Sequence, residues 1–255
     1  MSRTPVIAGN WKMNLLSAPS RELAAAVAAG CAGVSGAEVI VCPVFTSLHA
    51  AGAGLAGSAA VALGAQNCYN EESGAFTGEV SPQMLLDSGC SWVIIGHSER
   101  RAIFGEDDAL LNRKLHYALG AGLKVMFCIG ETLAEREGGV MNAVLERQVT
   151  LGLAGLTEAQ FASVVVAYEP VWAIGTGVTA SPAQAEEAHL FVRGLVAGHF
   201  GESIAQGLRI QYGGSVKPDN AAELISQPNV DGFLVGGASL KADGFVAIVQ
   251  AAAGA

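Results

Sequence analysis

Tyr168-Glu169-Pro170-Val171-Trp172-Ala173-Ile174-Gly175-Thr176-Gly177 places a carboxylate at the end of an apolar run and follows it with a loop bounded by proline and glycine. The run before it, Val164, Val165, Val166 and Ala167, suits a short strand buried on both faces, as the strands of a parallel sheet are. Glu169 is the first charged group as that strand leaves the core. Pro170 restrains one side of the loop and Gly175 and Gly177 free the other, so Val171, Trp172 and Ile174 can close over a ligand and expel water. A general base beneath a lid has this layout.

Similar apolar runs recur outward from this one, at Val6–Ala8, Val39–Cys42, Val61–Leu63, Trp92–Ile95, Val125–Ile129, Arg209–Tyr212 and Gly232–Val235. With Val164–Ala167 they make eight, the number that closes a parallel β/α barrel. Longer amphipathic stretches lie between them, the alternation of repeated βα units. Ser181-Pro182-Ala183-Gln184 offers an N-cap, a proline at the first helical position and a capping-box partner. Leu111, Leu115, Ala118 and Gly122 are expected on one helical face. No linker or shift in composition divides the chain, so residues 1–255 read as a single domain.

Composition agrees. At 255 residues the chain fits one barrel, and 51% hydrophobic against 15% charged residues excludes disorder. Fourteen Lys plus Arg against 23 Asp plus Glu leave a net charge of −9, which argues against nucleic acid or an anionic membrane as partner. The five cysteines, 31, 42, 68, 90 and 128, have no CxxC spacing and suggest neither a disulfide framework nor a zinc site, so a reducing cytoplasm is expected. The N-terminus lacks the charged and long apolar regions of a signal peptide, and the stretch from Leu48 to Ala65, broken by four glycines, is a poor membrane span.

The polar residues that stand out all follow a strand, where a barrel gathers its active site at one mouth. Lys12 lies between Trp11 and Met13 just past the first run, and in an acidic protein a cation there suits an anionic substrate and charge developing on its oxygen. Asn10 either positions that lysine or makes a strand-end turn. His97 precedes Ser98-Glu99-Arg100-Arg101, a short helix whose N-terminus is expected to lower its pKa and favour the neutral imidazole. His49, His116, His189 and His199 fall in helical patterns and are read as structural; Cys128 is read as packing. Gly213-Gly214-Ser215 and Gly236-Gly237 follow the last two strands, where barrels often hold phosphate on backbone N–H groups.

Two motifs are discounted. Gly52-Ala53-Gly54-Leu55-Ala56-Gly57 matches a dinucleotide fingerprint but lies between a helix and a strand, the wrong order. Gly96-His97-Ser98-Glu99-Arg100 resembles a nucleophile elbow with arginine where glycine is required.

Ala8-Gly9-Asn10-Trp11-Lys12-Met13-Asn14, Gly96-His97-Ser98-Glu99-Arg100-Arg101, the string from Tyr168 to Gly177, Tyr212-Gly213-Gly214-Ser215 and Gly236-Gly237 together resemble the triosephosphate isomerase family, in its order and across nearly its full length. The resemblance implies interconversion of dihydroxyacetone phosphate and glyceraldehyde 3-phosphate with no metal or organic cofactor. It further implies Glu169 as the base, His97 as the proton shuttle between the two oxygens, and Lys12 as the group that stabilises the enediolate. Asn10 and Lys12 would meet the substrate, with Gly175, Ser215, Gly236 and Gly237 holding its phosphate. The long loop Gln66 to Glu79, with Phe76 and Thr77, resembles the family's interlocking loop and implies a homodimer in which Thr77 enters the partner subunit near Asn10 and Glu99. Val178, where many members have lysine, and Ala242-Asp243-Gly244, in place of a commoner proline-containing segment, depart from the pattern away from the chemistry. The alternatives are another phosphosugar barrel enzyme, a non-catalytic phosphate-binding barrel, and a serine hydrolase using Ser98.

Overall fold

The computed structural model describes residues 3–173 and 180–254. Eight strands close into a parallel barrel in sequence order: β1 (Val6–Asn10), β2 (Glu38–Cys42), β3 (Val61–Ala65), β4 (Trp92–Ile95), β5 (Lys124–Ile129), β6 (Val164–Tyr168), β7 (Arg209–Tyr212) and β8 (Gly232–Val235). All eight expected runs are strands, each matching or exceeding its sequence bounds by up to two residues at an end. Closure is made by β8 pairing with β1, Val6 opposite Gly232 and Gly9 opposite Val235.

The two faces of each strand supply two cores. Val6, Ala8, Ile40, Cys42, Trp92, Ile94, Met126, Cys128, Val165, Ala167 and Leu234 form the smaller cluster inside the barrel. Their neighbours Ile7, Val39, Val41, Val93, Ile95, Phe127, Val164, Val166 and Tyr168 belong to the larger one, packed against the helices. A side-chain period of two produces this division, and burial on both sides explains why the strands read as unbroken apolar runs. The same period aims the ends: Ala8 and Ala167 face inward, so Asn10 and Glu169, two residues on, also face the barrel axis at its C-terminal mouth.

Helix boundaries follow local chemistry. Ser181 accepts a hydrogen bond from the Gln184 N–H, Gln184 returns one to the Ser181 N–H, and Pro182 opens the helix Pro182–Phe200. In the helix Asp108–Ala121, Leu111, Leu115 and Ala118 are buried as expected, but Gly122 is not on that face. It ends the helix at φ 103°, a left-handed cap for which a residue without Cβ is favoured. Gly52 and Gly54 lie in a helix that precedes β3, so the dinucleotide reading fails. Among the described residues no helix is long and apolar enough to cross a membrane.

Candidate active site

A cavity of about 490 Å³ opens at the C-terminal mouth, and Asn10, Lys12, His97, Glu169, Ser215, Gly236 and Gly237 all line it. Seven of the eight positions singled out in the sequence are therefore brought together from five strand ends; Gly175 lies outside the described residues, as does the expected lid from Ile174 onward.

Glu169 follows β6 and is 2% exposed. One oxygen, Oε1, lies 2.9 Å from His97 Nε2 and accepts from Ser98 Oγ at 3.3 Å; Oε2 accepts from the Ser98 N–H at 3.0 Å. Burial opposes its charge, but His97, the Ser98 N–H and Lys12 together outweigh burial and hold the carboxyl below its ordinary range. Ser98, weighed in the sequence as a helix start and as a serine nucleophile, is thus the residue that seats the Glu169 carboxylate. Its hydroxyl points to a carboxylate and not to an imidazole, which removes the geometry a serine nucleophile needs.

His97 reaches the cavity because Gly96 adopts φ 79°, a left-handed turn at the end of β4. A Cβ on Gly96 would also stand 3.1 Å from the Cys128 carbonyl. His97 caps the helix Ser98–Phe104, its Nδ1 accepting from the Glu99 N–H at 3.2 Å. With Nδ1 an acceptor, the ring proton sits on Nε2 and is donated to Glu169. The expected lowering of the histidine pKa is overturned. Burial does oppose the imidazolium, but the charge and hydrogen bond of Glu169, with Glu99 added, exceed burial and Lys12, and the pKa rises above its usual value. A seven-residue helix offers only a partial positive charge, whereas Glu169 brings a full negative one into contact.

This balance predicts a titration. In Glu169→Gln the carboxylate is gone while burial and Lys12 remain, so the His97 pKa should fall below that of the parent, as read by NMR of the imidazole. An unchanged or higher value would show that Glu169 does not set the histidine's charge.

Lys12 stands at φ 52°, in the left-handed region, which costs roughly 1–2 kcal/mol for a residue with a Cβ. Strain of this kind collects at functional positions. The Lys12 N–H donates to Asn10 Oδ1 at 3.0 Å, so Asn10 makes the turn and positions the lysine, uniting the two sequence readings of that residue. Lys12 Nζ pairs with Glu99 Oε1 at 2.6 Å. Past β8, Ser239 donates through its N–H and hydroxyl to the Gly236 carbonyl, at 2.9 and 2.7 Å. Pinning that oxygen turns the Gly237 N–H of the same planar unit the other way.

One cluster beside the mouth had no sequence signal. Glu131, after β5, is fully buried and accepts from Trp172 Nε1 at 2.9 Å, Arg136 Nη1 at 3.0 Å and the Tyr168 hydroxyl at 3.1 Å. Trp172, at the start of the expected lid, donates to Glu131, with the Arg136 guanidinium 4.7 Å above its ring. Of the set-aside residues, Cys128 is buried and its thiol pKa is raised by burial. His189, also buried, places Nδ1 3.1 Å from the Asn229 carbonyl, and burial lowers its pKa to about 4. Neither reaches the cavity.

Fold and cavity together describe a (β/α)8 barrel with Lys12, His97 and Glu169 gathered in a cavity at its C-terminal mouth, the class of barrel enzymes. The family model for triosephosphate isomerase matches residues 5–252. The chain is 56% identical over 251 residues to the triosephosphate isomerase of Pelodictyon phaeoclathratiforme, covering 98% of this chain and 99% of that one. It is 56% identical over 253 residues to that of Chlorobium chlorochromatii (99% of each chain), and 56% over 248 residues to that of Citrifermentans bemidjiense (97% and 98%). The chain belongs to the triosephosphate isomerase family. Its reaction is an aldose–ketose isomerisation of triose phosphates.

Proposed function

We propose that Glu169 takes the proton from the carbon beside the carbonyl of dihydroxyacetone phosphate, His97 moves protons between the two oxygens, and Lys12 stabilises the enediolate. The 2.9 Å contact between His97 Nε2 and Glu169 Oε1, in a cavity shared with Lys12, carries this reading. Base and electrophile are already adjacent. With substrate bound, Glu169 exchanges its His97 and Ser98 contacts for the reacting carbon, and the released Nε2–H turns to the carbonyl oxygen, where it offsets growing charge. The phosphate lies at the other end, on the backbone N–H groups of Ser215, Gly236 and Gly237 and on Gly175. A Cβ on Gly236 would stand 3.6 Å from Lys12 Cε, so the ammonium and the glycine turn approach one anion from two sides.

The whole chain, 1–255, acts as one domain, in the cytoplasm, as a homodimer joined by the loop Gln66 to Glu79. Support for the dimer comes from the surface around that loop. Met13, Ile103 and Phe104 are largely exposed, Phe76 partly, and a second cavity of about 250 Å³ lies among Met13, Phe45, Gln66, Glu99 and Phe104. An apolar area of this kind marks an interface. The partner's Thr77 would fill the cavity, directly behind Asn10 and Lys12.

A coupled assay with dihydroxyacetone phosphate, combined with sedimentation across protein concentration, tests both parts. Turnover should follow the dimer fraction. A monomer with full turnover would remove the loop from function, and a folded dimer without isomerase activity would remove the chemistry.

A further inference from the structure

Lys12 and Leu15 are the only non-glycine residues with positive φ among those described, and both belong to the turn that follows β1. A strained backbone persists only where its surroundings hold it. Around Lys12 the hold is specific. Its N–H donates to Asn10 Oδ1, and its carbonyl accepts from Gln66 Nε2 at 2.8 Å. Gln66 Nε2 donates also to the carbonyl of Cys42, at 2.9 Å, and that same carbonyl takes the Trp11 N–H at 3.1 Å. Carbonyl oxygens only accept, so the amide of Gln66 must present its nitrogen to both, and each of its hydrogens is used. One side chain, rooted at the residue after β3, thereby ties the end of β2 to the Lys12 peptide.

We propose that Gln66 is a positioning residue that acts on the substrate's phosphate through Lys12, by holding the lysine backbone in its left-handed conformation. The inference rests on the reading of Lys12 as the substrate's cation. Backbone conformation fixes the direction of the Cα–Cβ bond, and the long lysine side chain magnifies any change in that direction at its tip. With the clamp in place, Nζ stands 2.6 Å from Glu99 Oε1 beside the cavity. Without it, the Lys12 carbonyl loses its partner, the turn relaxes toward negative φ, and the ammonium leaves the phosphate end. Gln66 opens the loop Gln66 to Glu79, so order in that loop is passed to Lys12 by the hydrogen bond to its carbonyl, braced by the one to Cys42.

Gln66→Met keeps the length of the side chain and removes both donors. It should raise KM for glyceraldehyde 3-phosphate and Kd for glycerol 3-phosphate, which carries the phosphate but no carbonyl, by roughly 10-fold, the scale of a buried acceptor left unpaired. The loss in kcat should be smaller. The deciding measurement is a double-mutant cycle, with glycerol 3-phosphate binding read by NMR at concentrations where sedimentation shows the parental assembly. In a Lys12→Met background, Gln66→Met should change Kd less than about 2-fold, because the group it positions is already gone. An equal factor in both backgrounds would overturn the proposal, as would parental KM and Kd in folded Gln66→Met. If Lys12→Met alone leaves Kd unchanged, the reading of Lys12 fails first, and that result is separate from the other two. Gln66→Asn, whose amide stops short of both carbonyls, provides the same cycle should the methionine variant not fold.

Discussion

Glu169→Asp should isomerise dihydroxyacetone phosphate about 10²-fold more slowly than the parent, with KM little altered, because a misplacement near 1 Å in a reacting group costs about that much. The shorter acid keeps its charge and its chemistry but withdraws by one methylene. Its backbone cannot follow to compensate. Gly130 is packed so closely that a Cβ there would stand 1.8 Å from the Glu169 carbonyl, and the Glu169 N–H donates to the Ile129 carbonyl at 2.7 Å. The peptide that carries Glu169 is therefore packed against and hydrogen-bonded to the end of β5, so the side chain sets the reach. The proposed phosphate contacts, on the backbone of Ser215, Gly236 and Gly237, do not use the Glu169 carboxylate, which is why the loss should fall on kcat. Parental turnover in the aspartate variant would remove Glu169 as the base; a large rise in KM with unchanged kcat would assign it to binding instead.

For Lys12→Met we expect kcat/KM to fall by roughly 10²–10³, the range found when a single donor to a developing oxyanion is removed. Methionine retains much of the stem's volume and deletes the ammonium. A charge-assisted hydrogen bond contributes roughly 1.5–3 kcal/mol, so Kd for a phosphate-bearing, non-reacting analogue should rise by about 10- to 10²-fold. Glu99, more than a third exposed and paired with Lys12 Nζ at 2.6 Å, would be left as an unopposed negative charge beside an anionic substrate, deepening the loss. The His97 pKa should rise further, since Lys12 is among the groups that lower it. Unchanged analogue affinity in a folded variant would take Lys12 out of the site.

These expectations rest on residues of unequal visibility in the sequence. The strands were legible because burial on both faces leaves an unbroken apolar run, a local signature. The helix Pro182–Phe200 announced its start through a serine, a proline and a glutamine within four positions. Gly122 was misread for a related reason: periodicity counts spacing, and a helix cap falls on the same spacing as the face it ends. The cavity residues were visible by type and by their place after strands, together with the family resemblance. Their contacts were not.

Sequence alone determined the eight strands, the placing of Asn10, Lys12, His97 and Glu169 just after strands, and the membership of the family. Each of these depends on interactions within a few residues or on the motifs themselves. Tertiary structure alone decided that Ser98 seats Glu169 across 71 positions, that Glu99 meets Lys12 across 87, that Gln66 clamps the Lys12 carbonyl across 54, and that Trp172 binds Glu131 across 41. It also reversed the expected direction of the His97 pKa, for a helix N-terminus is a feature of local sequence, whereas the carboxylate that outweighs it arrives from another strand. Barrel closure brings the ends of distant strands within hydrogen-bonding range, and the strength of charge and hydrogen-bond contacts is set by distances that no spacing along the chain encodes.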